Sequence, residues 1–242
     1  MIPRLVPVAA PLRVRRRLAE APDGPRPVLH ASASAIYVNL DGWCVGVVSA
    51  TATHVPCALW SALPDLGPYA GLPVTVRSGA LHVGDDELRI TRLVDPRTTA
   101  VGHHAQTEPG TSATSGFDLP ADGRLTTAHL DRLLGRGPGL TPLGDDVLAG
   151  WFATRAALDA PDDALVGAVR RRLGFTTLLS ATLIDCAIRG EVLPQLGDWL
   201  ADPGPATRRA LLAVGATSGA GLLRGASLAL TSLSTNLPRS AA

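Results

Sequence analysis

The sequence contains no lysine: all 22 of its basic residues are arginine. That absence excludes Schiff-base and pyridoxal-type lysine chemistry and the phosphate-holding lysine of a P-loop. Cysteine is almost as scarce. Cys44, Cys57 and Cys186 lie far apart and form no CxxC pair, which predicts buried thiols in a reducing compartment. A charge excess is missing too. The 22 basic residues face 21 acidic ones, so neither nucleic acid nor an anionic membrane is indicated as the main partner. No apolar run approaches the roughly 18 residues a membrane helix requires. The opening MIPRLVPVAAPLRVRRRLAEA carries arginines where a signal peptide needs an unbroken apolar core. The expectation is a cytoplasmic protein. Neither GxSxG nor HExxH occurs, so hydrolase triads and zincins gain no support. His30, His54, His82 and His129 share no ligand spacing, and no metal ligand is assigned.

What is present is a globular composition, 46% apolar over 242 residues, enough for one large domain or two modest ones. Residues 1–27 mix Pro and Arg and read as an irregular or partly helical lead-in. From about 28 to 100 the texture changes. AIYVNLDGWCVGVVSA and LPVTVRSGALHVGDDELRITRLVD alternate apolar with polar residues, are rich in Val, and are punctuated by DG, SG and GDD, the pattern of strands joined by turns. GALHVGDDELRI predicts a hairpin turning at Gly84-Asp85-Asp86. Residues 101–124 are rich in Gly, Pro, Ser and Thr and read as a linker or long loop, with His103 and His104 a solvated pair inside it. Residues 125–235 suit helices almost throughout, and the tail after Thr235 reads as loose. The fold class expected is α+β: a β-rich N-terminal part followed by an all-helical C-terminal bundle.

The most unusual stretch is GRGPGLTPLGDD (135–146), set directly before the apolar VLAGWFATRAAL. Thr141 as N-cap, Pro142 at the first helical position and acids in the first turn make an ordinary helix start. At about 100° per residue, Leu143, Val147, Leu148, Trp151 and Phe152 share one half of that helix. Asp145, Asp146, Ala149, Gly150, Ala153 and Ala157 share the other. A surface helix would fill the second half with charged side chains. Small residues there predict the close approach of another backbone or a ligand, and carboxylates among them need partners. The glycines before them offer backbone N–H groups suited to an anion. The expected pocket is bipolar, with amide donors for a phosphate or carboxylate and carboxylates for an amide, ammonium or metal. Mg2+ is the possible cofactor.

Two further segments bear on it. TTLLSATLIDCAIRG (176–190) predicts a buried helix with Thr176, Thr177 and Ser180 on one arc; their hydroxyls either bond back to the helix or line a pocket. Asp185 is a polar intruder there and needs an arginine. GATSGAGLLRGASLAL (215–230) spaces Gly215/Gly219 and Gly221/Gly225 four apart, for close helix packing, and a turn at Thr217-Ser218-Gly219 would supply a second amide cluster. Arg170-Arg171-Arg172 predict a solvated helix end or an anion clamp.

GRGPGLTPLGDDVLAG closely resembles the GxGxGLTPxGDDxLxG signature of the AllH-like family. TTLLSATLIDCAIRG and GATSGAGLLRG are similar to that family's second and third blocks. The resemblance spans roughly Leu133 to Leu230. It implies a subunit of a carbamoyltransferase of the oxamate type, from allantoin catabolism, which moves a carbamoyl group between oxalurate and phosphate. Carried over residue by residue, it places the catalytic acids at Asp145 and Asp146. Substrate contacts fall at Gly137, Gly139, Thr141, Gly144, Thr177, Ser180, Ser218 and Gly219. On this reading the Gly137–Gly139 amides hold the anionic end and an aspartate orients the carbamoyl NH2. An ionised aspartate touching phosphate would be repelled by about 1–4 kcal/mol, so the acids suit the amide end or a Mg2+ bridge. The expected partners are a small anionic amide or ureido acid, carbamoyl phosphate, and other subunits of a hetero-oligomeric enzyme. The third block departs from the usual pattern: Ala216 replaces its His and Gly221 its Asp. A Mg2+-dependent nucleotide or phosphate enzyme and a non-catalytic metabolite-binding or scaffold subunit remain as alternatives.

Overall fold

A computed structural model describes residues 4–98, 101–102 and 116–234. The chain divides into two compact units, Met1–Pro96 and Arg97–Ala242. The first is built on β1 (Leu5–Pro11), α1 (Leu12–Glu20), β2 (Gly24–Pro25), β3 (Val28–Ala31), β4 (Ala35–Leu40), β5 (Trp43–Val48), β6 (Ala58–Ser61), β7 (Val74–Arg77), β8 (Ala80–Val83) and β9 (Asp86–Val94). These nine strands form one sheet in the order β2-β7-β8-β9-β1-β6-β5-β4-β3.

Tight turns set the register of its hairpins. Asp41-Gly42 joins β4 to β5 and Ser78-Gly79 joins β7 to β8. All four residues have positive φ, the backbone that matches the twist of a two-residue hairpin. The hairpin expected at Gly84-Asp85-Asp86 is present as β8–β9, with Val83 paired to Asp86 and Gly84 at φ +60°. The lead-in is partly helical, as expected, through α1 (Leu12–Glu20), but the residues before it are not irregular. Residues 5–11 are a central strand, parallel to β9 and antiparallel to β6, and α1 follows at once. Pro7 and Pro11 hide the strand pattern locally. Its partner β9 lies some 80 residues away, and burial of Val6, Val8, Ala9 and Ala10 becomes possible only after that pairing. Cys44 and Cys57 are buried, and burial pushes the Cys44 thiol up to about 12, an unreactive thiol at neutral pH.

The second unit carries seven helices among its described residues: α2 (Thr127–Leu133), α3 (Leu143–Ala157), α4 (Asp163–Arg170), α5 (Leu178–Ala187), α6 (Pro194–Ala201), α7 (Pro205–Leu212) and α8 (Ser218–Ser234). The protein is α+β, a nine-stranded sheet followed by helices. No helix among the described residues is long and apolar enough to cross a membrane. The second core gathers Leu130, Leu148, Trp151, Ile184, Trp199 and Ala226. At its centre α3 packs on α8 and α5, buried on every side from Leu143 to Thr154. The small half of α3 is therefore explained by backbone approach. A Cβ on Gly150 would overlap the Leu222 carbonyl oxygen, and one on Gly225 would overlap that of Val147. Asp185 meets Arg189 one turn later, Nε to Oδ1 3.9 Å. His103, His104 and the tail from Thr235 lie outside the described residues.

Candidate functional site

The site grows from the start of α3. Gly135, Gly137 and Gly139 take φ values of +71°, +122° and +94°, which glycine alone reaches cheaply. These residues carry the chain from α2 to the start of α3. Pro142, rather than Thr141, occupies the N-cap position, and no side chain caps the helix. The first-turn amides are satisfied by backbone instead: Gly144 N–H donates to Arg136 O, and those of Asp145 and Asp146 to Pro142 O. Thr141 is thereby released, and its hydroxyl lies 2.9 Å from Ser218 Oγ, the first residue of α8. Thr177, the N-cap of α5, accepts from the Ser180 N–H and donates through its hydroxyl to Leu140 O at 2.6 Å. The amino ends of α3, α5 and α8 are thus tied to one loop, 135–142.

Two adjacent carboxyls sit beneath it in different surroundings. Asp145 is saturated: Oδ1 accepts from the Gly135 N–H at 2.7 Å and Oδ2 from the Thr176 hydroxyl. Burial raises its pKa, while those two donors and the nearby Ser180 hydroxyl oppose the rise. Asp146 is 5% exposed and its Oδ2 has no hydrogen-bond partner. Burial pushes this carboxyl up to about 8; the Ser218 hydroxyl opposes the rise and the Asp145 charge adds to it. Ser180 Oγ is likewise buried without a hydrogen-bond partner.

Residues 133–230 match the family model described as oxamate carbamoyltransferase subunit AllH. The AllH match covers somewhat under half of the chain, all of it in the second unit. No curated protein matches, and no solved structure does either. Every residue of the loop and of both carboxyls falls inside the AllH-matched stretch.

The structure brings together Thr141, Asp145, Asp146, Thr177, Ser180 and Ser218. Gly137 and Gly139 are exposed on the loop above them. Gly144 and Gly219 are buried, and a Cβ on them would overlap the Leu133 and Leu211 carbonyl oxygens; each permits a close backbone approach. Gly221, where the usual block has Asp, lies against Asp146: a Cβ there would stand 2.7 Å from Asp146 Cβ. Ala216 is exposed. Arg172 is engaged by Asp131, Nε to Oδ1 2.8 Å. With Arg136, Gly135 and the 78%-exposed Phe175 it lines a cavity of about 380 Å3. Two participants were not among the expected contacts, Gly135 and Thr176, which hold Asp145. Positive φ at the first glycine of GRGPG is the signal that would have found the former. Among the described residues no group of three or more His, Cys, Asp or Glu is placed to hold a metal ion.

Proposed function

We propose that this chain is a subunit of a carbamoyltransferase-like enzyme acting on small ureido and amide acids of the oxamate and oxalurate type. The observation that carries the reading is the unpartnered Oδ2 of Asp146, buried near the Ser218 hydroxyl within the AllH-matched stretch. Asp145 holds the loop, and Asp146 contacts the carbamoyl end of the ligand. The Gly137–Gly139 amides take the carboxylate or phosphate end, as unengaged backbone donors at a helix start favour anions. In the transfer a phosphate oxygen bonds to the carbamoyl carbon of oxalurate. The bond from that carbon to the amide nitrogen breaks, and the nitrogen takes up a proton as oxamate leaves. Phosphate is itself the nucleophile, so what the protein supplies is orientation and charge stabilisation. Other subunits complete the enzyme.

Mg2+ at the acid pair fits the donor set poorly. Both Asp145 oxygens are committed to N–H and O–H donors, which leaves the single carboxyl of Asp146 for a cation that prefers several oxygen ligands. The reading is tested by mixing the purified protein with its genomic neighbours and following phosphate-dependent breakdown of oxalurate. Carbamoyl phosphate and oxamate should appear together. No turnover in any combination of folded components would overturn it.

A further inference from the structure

We infer that Asp146 meets its ligand as an un-ionised carboxylic acid, donating its proton from Oδ2 to the carbonyl oxygen of a carbamoyl or carboxamide group, so that Asp146 is a specificity-determining donor and not a carboxylate acceptor. This rests on the carbamoyl reading above and assigns the polarity of its central contact.

The burial of one carboxyl oxygen without a donor fixes where the acid's proton lies. Thr141 Oγ1 stands 2.9 Å from Ser218 Oγ, and the Ser218 hydroxyl is near enough to the Asp146 carboxyl to oppose the rise in its pKa. Asp146 Oδ2 is buried and has no hydrogen-bond partner. A full negative charge is costly on a carboxyl oxygen buried without a donor, so the acid's own proton belongs on Oδ2, the unpartnered atom.

The surroundings keep it there. From α8 the carboxyl is met by Ser218 and Gly221, neither of them ionisable. Toward α5 the Thr176 hydroxyl donates to Asp145, and Ser180 is not ionisable. On the loop, Arg136 is exposed. The charge acting on Asp146 is that of Asp145, whose two oxygens both accept and which is thereby suited to the ionised form. Two carboxyls side by side, one saturated with donors and one left open, divide into an anion and an acid. A neutral Asp146 does not repel an anionic amide acid. Its O–H becomes more favourable as negative charge grows on the carbonyl oxygen during attack.

Asp146→Asn separates the two polarities, because the side-chain amide keeps a donor at one position and an acceptor at the other without ionising. Oxamate and inorganic phosphate are the calorimetric probes, each with the full-length wild-type protein and D146N at pH 7 and pH 9. Infrared difference spectra of 13C-aspartate-labelled protein follow the acid without any ligand. Wild type should show a protonated carboxyl band at pH 7 that D146N lacks. Oxamate affinity of wild type should fall about tenfold from pH 7 to pH 9, as the acid loses its proton through about pH 8. D146N should bind oxamate within about threefold of wild type at pH 7 and hold that affinity at pH 9. Loss of oxamate binding in folded D146N at pH 7, with wild type binding, overturns the donor assignment and leaves the carbamoyl reading intact. Absence of the protonated band at pH 7 overturns the assignment without reference to any ligand. Failure of both proteins to bind oxamate overturns the carbamoyl reading and the contact together.

Discussion

At the scale of single residues, the Asp145 carboxylate is held by the Gly135 N–H and the Thr176 hydroxyl, whereas the next carboxyl keeps an open oxygen. The pH dependence of folding should report the difference. An unfolded aspartate titrates near 3.9, and Asp146 in the fold titrates at about 8. The folded state therefore binds a proton that the unfolded state releases, and stability falls as pH rises from about 4 to about 8. Urea unfolding of wild type across that range should show the decline, and D146N should flatten it. Thr176→Val acts on the other acid. It leaves Asp145 Oδ2 without its donor and should cost about 1–3 kcal/mol in urea unfolding. Faster proteolysis within 135–142 should accompany it, because Asp145 joins Gly135 to α3.

At the scale of elements, glycine acts in two ways that sequence spacing alone does not distinguish. Gly225 on α8 sits against α3, where a Cβ would overlap Val147 O; Gly167 on α4 faces only Arg171 Nη1, at 3.5 Å from such a Cβ. Gly225→Ala must push two helices apart and should destabilise by about 1–3 kcal/mol or more. Gly167→Ala gains helix propensity without a clash and should stabilise by up to about 1 kcal/mol. Thermal melts of the two variants should move in opposite directions. The same contrast explains α3. Its Gly150 meets a carbonyl of α8 and the helix is buried on every side, so it lacks the polar stripe that a single-faced helix would need.

At the scale of the whole molecule, the second unit has its own core, running from Leu125 to Ala229. Residues 97–242 expressed alone should keep the helical circular dichroism of the full chain and a buried Trp151. A random-coil spectrum would show that the first unit is required. The β-rich texture, the hairpin turns at Asp41-Gly42 and Ser78-Gly79 and the helical second half were legible because each depends on local alternation, turn chemistry or 3.6-residue periodicity. The strand at Leu5–Pro11 was not legible, because its pairing partner is far away in sequence. The acid pair was legible as a pair, from its place after a glycine loop at a helix start. By itself the sequence determined the classes of structure, the lysine-free chemistry and the position of two carboxyls on one helix turn, since spacing and composition fix these. Only the tertiary structure decided which carboxyl is saturated and which is open. That depends on Gly135, Thr176 and Ser218 reaching the same turn of α3 from three different segments, which no local pattern encodes.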